Sequence, residues 1–218
     1  MFAFSTSVFA QSEEKKSETG ILGPELSALN VGMQLAKYGY QTKSATTLCE
    51  AARILSSVKE QPLGVTKEVE TSGKQGDGQK SSIVQYDPKQ ILAYAEELAG
   101  KDKNVLDLIK DVRTQMENSS SRGAVGGPKG TYDRVEAYDT DIYHVRFYGG
   151  ESASVIVDGD GDTDLDLYIY DENGNLIDSD DDSSDYCYCS WKPKWTGTFK
   201  IKIKNRGGVY NRYSLKTN

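Results

Sequence analysis

Apolar positions change their spacing near residue 120, and that change divides the chain. From Pro24 to about Asn118 they recur every three or four residues, the signature of helices with one buried face. Leu26, Leu29, Met33 and Ala36 predict a first helix, which Tyr38-Gly39-Tyr40 interrupts. Leu48, Ala51, Ala52, Leu55 and Val58 form the stripe of a second over 45–59, stopped by Pro62-Leu63-Gly64. Asp87-Pro88 offers a cap and a first-turn proline to a third helix, with Ile91, Leu92, Ala95 and Leu98 inward and Gly100 at its end. Asp102 caps a fourth, whose apolar face is Val105, Leu106, Ile109, Val112 and Met116. Residues 65–82 carry glycine, lysine, serine and glutamate without a period and read as a long mobile loop.

After the Ser-, Gly- and Pro-rich stretch 119–130, a linker by composition, the period becomes two. Eight strands are predicted: 132–137, 141–148, 153–157, 165–170, 176–179, 186–190, 197–205 and 210–216. Leu165, Leu167 and Ile169 should face a core along one strand, and Phe199, Ile201 and Ile203 along another. Trp195 should cover one end of it. Asp171-Glu172-Asn173-Gly174 is a hairpin signal, because Asn-Gly accepts the positive φ of a type I′ turn. Tyr210 and Tyr213 cannot share a face without a bulge.

The expected fold class is therefore α+β multidomain, a small helical bundle followed by an antiparallel jelly-roll-like β-sandwich. Its parts are a residual signal peptide (1–10), a flexible tail (11–20), a helical domain (21–118), the linker, and the sandwich (131–218). The glycine-rich linker leaves the halves loosely coupled in this reading. Val8-Phe9-Ala10 before Gln11 looks like a signal-peptidase site whose basic beginning has been lost; a native N-terminus is the other reading. Export places the protein in the periplasm or outside the cell.

With 218 residues, 37% of them hydrophobic, the chain can form a core, and no run approaches the roughly 18 apolar residues that span a bilayer. A net charge of −7 argues against nucleic acid, whose affinity rests on neutralised phosphates. Charge is segregated within the sandwich. Residues 158–185 hold twelve acids and no base, and 192–216 hold eight bases and no acid. Asp164 and Asp166 are expected outward on one strand, Lys200, Lys202 and Lys204 on another, so neighbouring strands would pair them.

Asp158, Asp160, Asp162, Asp164 and Asp166 alternate through a glycine-containing turn, and oxygen ligands so spaced suit a hard cation such as calcium. The EF-hand pattern fails, since its sixth position is Thr163 and its twelfth Ile169. Asp180, Asp181, Asp182 and Asp185 could add ligands. Solvated turn aspartates are the alternative. Cys49 reads as a small buried thiol. Cys187 and Cys189, two apart on one strand, read as free or inter-chain-reactive thiols, a strained bridge, or metal ligands that lack companions.

Residues 162–177 read Asp-Thr-Asp-Leu-Asp-Leu-Tyr-Ile-Tyr-Asp-Glu-Asn-Gly-Asn-Leu-Ile. With Ser179-Asp-Asp-Asp182, Trp195-Thr-Gly-Thr-Phe199 and Tyr213-Ser-Leu215, this stretch resembles the bacterial pre-peptidase C-terminal domain over about 128–217. The resemblance implies a jelly-roll-like sandwich on exported proteins, often secreted peptidases, where it is a non-catalytic accessory. Some relatives bind calcium, collagen or polysaccharide, and Asp162, Asp164 and Asp166 are the positions carried over. No peptidase domain precedes it here, and the cysteine pair departs from the pattern.

Enzymatic motifs are absent: His144, the one histidine, has no nucleophile elbow or His-Glu-x-x-His around it, and Gly126–Gly130 lacks the phosphate-loop pattern. The reading is an exported, non-catalytic accessory or binding module, with calcium as a structural ion and a glycan or envelope protein as partner. Fourteen tyrosines against five phenylalanines would suit a contact surface, or simply a sandwich. The alternatives are an adaptor that binds through its helical half, and a hydrolase fragment or cryptic polysaccharide-active enzyme using paired carboxylates.

Overall fold

A computed structural model describes residues 22–120 and 127–218. The expected signal peptide and tail, and 121–126 of the expected linker, lie outside the described residues. Four helices come first: α1 (Pro24–Thr42), α2 (Ala45–Ser57), α3 (Pro88–Ala99) and α4 (Lys103–Ser120). The caps are local and legible. Ser44 accepts from the Thr47 backbone N–H, Asp87 from Lys89 and Gln90, and Asp102 from Asn104 and Val105. Tyr38-Gly39-Tyr40 does not interrupt α1, contrary to expectation. A Cβ at Gly39 would stand 2.8 Å from the Leu48 side chain, so the glycine lets α2 cross closely. Leu29, Met33, Leu48, Ala52, Ile91 and Ile109 form the bundle core.

Ten strands make two sheets. The first runs β1 (Gln61–Pro62), β3 (Lys129–Val135), β10 (Asn211–Thr217), β5 (Ala153–Gly159), β8 (Tyr186–Trp191). The second runs β2 (Glu68–Glu70), β4 (Thr140–Phe147), β9 (Gly197–Asn205), β6 (Leu165–Tyr170), β7 (Leu176–Asp180). Neighbours are antiparallel except β1 and β3. Leu165, Leu167, Ile169, Phe199, Ile201 and Ile203 all face inward and are buried, as the period of two predicts. Trp195 does not cover the core. It is 40% exposed, and Trp191 instead packs on Phe147 and Phe199, with ring centroids 4.9 and 5.4 Å away. Tyr213 is buried inside the sandwich, whereas Tyr210 precedes β10 and stays outside.

The bundle lies on the outer face of the first sheet. Ile156 of β5 is a member of the helical core, and Tyr186 and Tyr188 of β8 pack against it. The result is three layers: helices, first sheet, second sheet. The segment between α2 and α3, of which 65–82 was expected as a mobile loop, binds them together. Its β1 pairs with β3 and its β2 with β4; Leu63 enters the sandwich core, while Val84 and Tyr86 enter the bundle core. Loose coupling through the linker is thus corrected by a segment the sequence made look unstructured.

Candidate functional site

The five aspartates fall where β5 turns toward β6, and three of them meet lysines from the first half of the chain. Asp158 is buried; it accepts from Lys37 Nζ at 3.0 Å and Gln34 Nε2 at 2.9 Å. Lys37 also reaches Asp185 at 2.8 Å. Burial pushes the Asp158 carboxyl up to about 6, and the Lys37 charge only partly offsets this. Asp160 is likewise buried, bonded to the Lys80 ammonium and to the Arg212 backbone N–H at 3.0 Å. Burial raises it above the ordinary carboxylate range against the pull of Lys80. Asp162 receives Lys80 at 2.8 Å, the Ser81 hydroxyl, and the Ser81 and Ser82 backbone N–H groups. Partial burial opposes ionisation there, but these donors hold its carboxyl well below the usual range.

Asp164 and Asp166 stand apart from these pairs. Asp164 is half-buried, and burial together with the Asp166 charge raises its pKa. Asp166 faces Lys204 in register but takes its contacts from the Tyr168 hydroxyl at 3.1 Å and Arg206 at 3.5 Å. The expected neighbourhood of acidic and basic strands holds, since β6 adjoins β9. Lys202, however, pairs with Glu70 of β2, at 2.7 Å, and not with β6. Among the described residues, no group of three or more His, Cys, Asp or Glu side chains has an arrangement that could hold a metal ion. Calcium does not fit Asp158, Asp160 and Asp162 in this arrangement, because lysine ammonium groups already neutralise them.

A second buried polar cluster closes the sandwich near β2. The Tyr213 hydroxyl donates to Asp141 at 2.6 Å and lies 2.7 Å from the Tyr143 hydroxyl, which donates to Asp133 at 3.1 Å. Lys67 bridges Asp133 and Asp141 at 2.8 and 3.1 Å. The cysteines are free and buried; burial raises the Cys187 and Cys189 thiols far above neutrality, which removes their thiolate reactivity. His144 is partly exposed on the outer face of β4, 3.5 Å from Glu68.

Sequence reasoning missed the open concave surface. A cavity of about 350 Å³ lies between the start of α3 and the outer face of β3 and β10, with Gln85, Asp87, Gln90, Tyr132, Arg134 and Arg212 in its lining. A second, of about 390 Å³, is lined by residues of 71–80, 136–139 and 208–210, Tyr210 among them. Arg134 and Arg212, cross-strand partners, both lie over the Tyr210 ring, at 5.2 and 5.0 Å, and Lys80 is 4.9 Å from it. The available signal was Arg134 and Tyr132 at alternate outward positions of a strand.

No family model matches the chain, and no curated protein matches it. Solved structures do. A periplasmic inhibitor of g-type lysozyme from Aeromonas hydrophila is 15% identical over 44% of this chain and 90% of its own, with a TM-score of 0.35. The pre-peptidase C-terminal domain of a Bacillus anthracis collagenase is 12% identical over 41% and 89%, with a TM-score of 0.33. A carbohydrate-binding module of a Cellvibrio mixtus lichenase is 14% identical over 38% and 72%, with a TM-score of 0.27. Each covers less than half of this chain, and the β-sandwich resembles several such proteins without one dominating.

Proposed function

We propose that this protein is an exported, non-catalytic binding module that contacts polysaccharide or protein at the cell envelope. Its sandwich is of the pre-peptidase C-terminal kind, and its helical half is built into the same folded unit. One observation carries the reading. The buried carboxylates of the turn between β5 and β6 are joined to lysines, while the concave surface open to solvent is lined by tyrosine, arginine and amide side chains, its two carboxylates being engaged within the fold, Asp87 in the α3 cap and Asp133 with Lys67. Such lining recognises and orients a ligand; a general acid needs a carboxyl poised against substrate. The adaptor alternative needs a sandwich that serves only as a spacer, yet the helices cover its outer face. No helix among the described residues is long and apolar enough to cross a membrane.

Fractionation of cells expressing the full chain tests export: recovery in the periplasm or medium is expected, and retention in the cytosol overturns it. Co-sedimentation with envelope material, without release of reducing sugar or peptide, tests the binding role. Calcium stabilisation, the finer part of the sequence reading, has Asp164 and Asp166 left as ligands. Thermal unfolding of the full chain with and without millimolar calcium checks it. The lysine pairs lead us to expect an unmoved midpoint; a rise that Asp164→Asn abolishes would put the ion back.

A further inference from the structure

We propose that Lys67 and Asp141 condense spontaneously into an amide, a covalent cross-link that ties the chain just before β2 to β4. The inference stands apart from the binding-module reading and concerns how the fold is held. The polar cluster near β2 is a closed ring: Lys67, Asp133, Tyr143, Tyr213 and Asp141 each contact the next, and Asp141 returns to Lys67. Lys67 Nζ lies 3.1 Å from Asp141 Oδ2, against the carboxyl group it would attack. Hydrogen bonds to Asp133 at 2.8 Å and to the Arg134 carbonyl at 2.9 Å hold it in that position. The Asp141 side chain is 1% exposed, and Tyr143 and Tyr213 are buried, so bulk water is kept from the reacting carbon.

A lysine between two aspartates occurs twice more among the described residues, at Lys37 with Asp158 and Asp185 and at Lys80 with Asp160 and Asp162. The Lys67 cluster differs from both in the pair of tyrosine hydroxyls, 2.7 Å apart, that joins its two carboxyls. The carboxyls also differ from each other. Burial raises the Asp141 pKa, and the Asp133 charge adds to this, against the pull of Tyr213 and Lys67; its neutral acid, the electrophilic form, is thereby favoured. Burial opposes ionisation of Asp133 as well, but donors from Lys67, the Arg134 N–H and Tyr143 hold it below its ordinary value, as a charged base. Paired carboxyls whose surroundings separate their pKa values divide into acid and base. Burial lowers the Lys67 pKa, yet its two acidic partners outweigh this and raise it. The ammonium is therefore the resting form and must first hand a proton to Asp133, which makes the reaction slow: one event in the life of the molecule, without turnover.

The step balances. Asp133 takes one proton from the Lys67 ammonium, and the freed lone pair attacks Asp141 Cγ. The Tyr213 hydroxyl, 2.6 Å from Oδ2, stabilises the oxyanion that develops there. The Nζ–Cγ bond forms, the bond from Cγ to the other oxygen breaks, and that hydroxyl departs with a second Nζ proton as water. Asp133 is left protonated and, with its side chain 31% exposed, returns the proton to solvent. The amide closes a covalent loop that contains α3, α4 and β3, and it restricts the unfolded chain as a disulfide does. The three cysteines, free and buried, supply no such bridge.

Intact-mass measurement of the full chain, denatured for the measurement, tests this. Expected is a species lighter than the sequence mass by one water, about 18 Da, whose share grows while the folded protein is incubated for days and does not grow in protein held unfolded in urea. Lys67→Arg, which keeps the positive charge, should retain its full mass. Asp133→Asn should slow the mass loss by about tenfold or more, because the base is gone. After proteolysis, tandem mass spectrometry should find the peptide carrying Lys67 joined to the one carrying Asp141. A parent chain that keeps its full mass overturns the proposal, whatever the folding of the variants. A water loss that persists in Lys67→Arg, or a branch that maps to other residues, overturns it equally.

Discussion

Lys80 carries more of the structure than its setting in a polar, glycine-rich run suggests. Its ammonium is the ionic partner of Asp160, whose side chain has no solvent contact. Breaking such a pair from one side leaves a buried charge uncompensated, so Lys80→Ala should destabilise the protein by about 3 kcal/mol, read by urea unfolding. Asp158 makes a prediction of opposite pH sign to an ordinary salt-bridged acid. Its folded pKa of about 6 exceeds the unfolded value, so the folded state binds the extra proton and this group's contribution to stability falls as pH rises from about 4 to about 6. Asp162, depressed in the fold, contributes stability above about pH 4 that is lost on further acidification. Asp158→Asn should therefore remove the destabilising slope between pH 4 and 6 while leaving the loss at lower pH. An unchanged slope in the variant would assign it to another group. The acidic turn was legible in the sequence; its lysine partners were not, because they lie 80 and 121 residues away in the chain.

Helices and strands that depend on local pattern were read well, and the segment 61–86 was not. Its β2 is three exposed residues, Glu68-Val69-Glu70, with no buried stripe to reveal a period. Its order comes from partners: the β4 backbone, Lys202 on Glu70, and Asp133 and Asp141 on Lys67. Gly76 and Gly78 look like flexibility in a sequence and act here as close packing. A Cβ at Gly76 would stand 2.7 Å from the Gly208 carbonyl oxygen. Gly76→Ala should then lift this stretch away from the 207–209 turn, seen as faster amide exchange over 72–80 with helix and sheet exchange unchanged. Equal exchange in parent and variant would show that the contact does not hold the segment. The Trp195 expectation failed for a related reason. Two tryptophans flank the same turn, and only the packed structure distinguishes Trp191, beside Phe147 and Phe199, from its exposed neighbour.

At the scale of the molecule, the two halves share surfaces that neither could leave exposed. Removing residues 22–127 would uncover Ile156, Tyr186 and Tyr188, deprive Asp158 and Asp160 of Lys37 and Lys80, and take from Lys216 its partner Glu60, at 2.7 Å. In the intact fold burial lowers the Lys216 pKa, and the Glu60 carboxylate offsets part of that shift. These couplings predict one cooperative transition for the full chain. Far-ultraviolet circular dichroism, which reads the helices, and fluorescence of Trp191 and Trp195, which reads the sandwich, should give coincident denaturation curves. A fragment of residues 128–218, which holds the whole resemblance to the pre-peptidase domain, should unfold at markedly lower denaturant than the full chain. Two separated transitions, with the fragment matching the later one, would mean that the helices and the strands they cover are thermodynamically independent. Coincident curves would make the concave surface between the start of α3 and the first sheet, whose walls come from both halves, a property of the intact fold, so that any ligand held there would raise global stability.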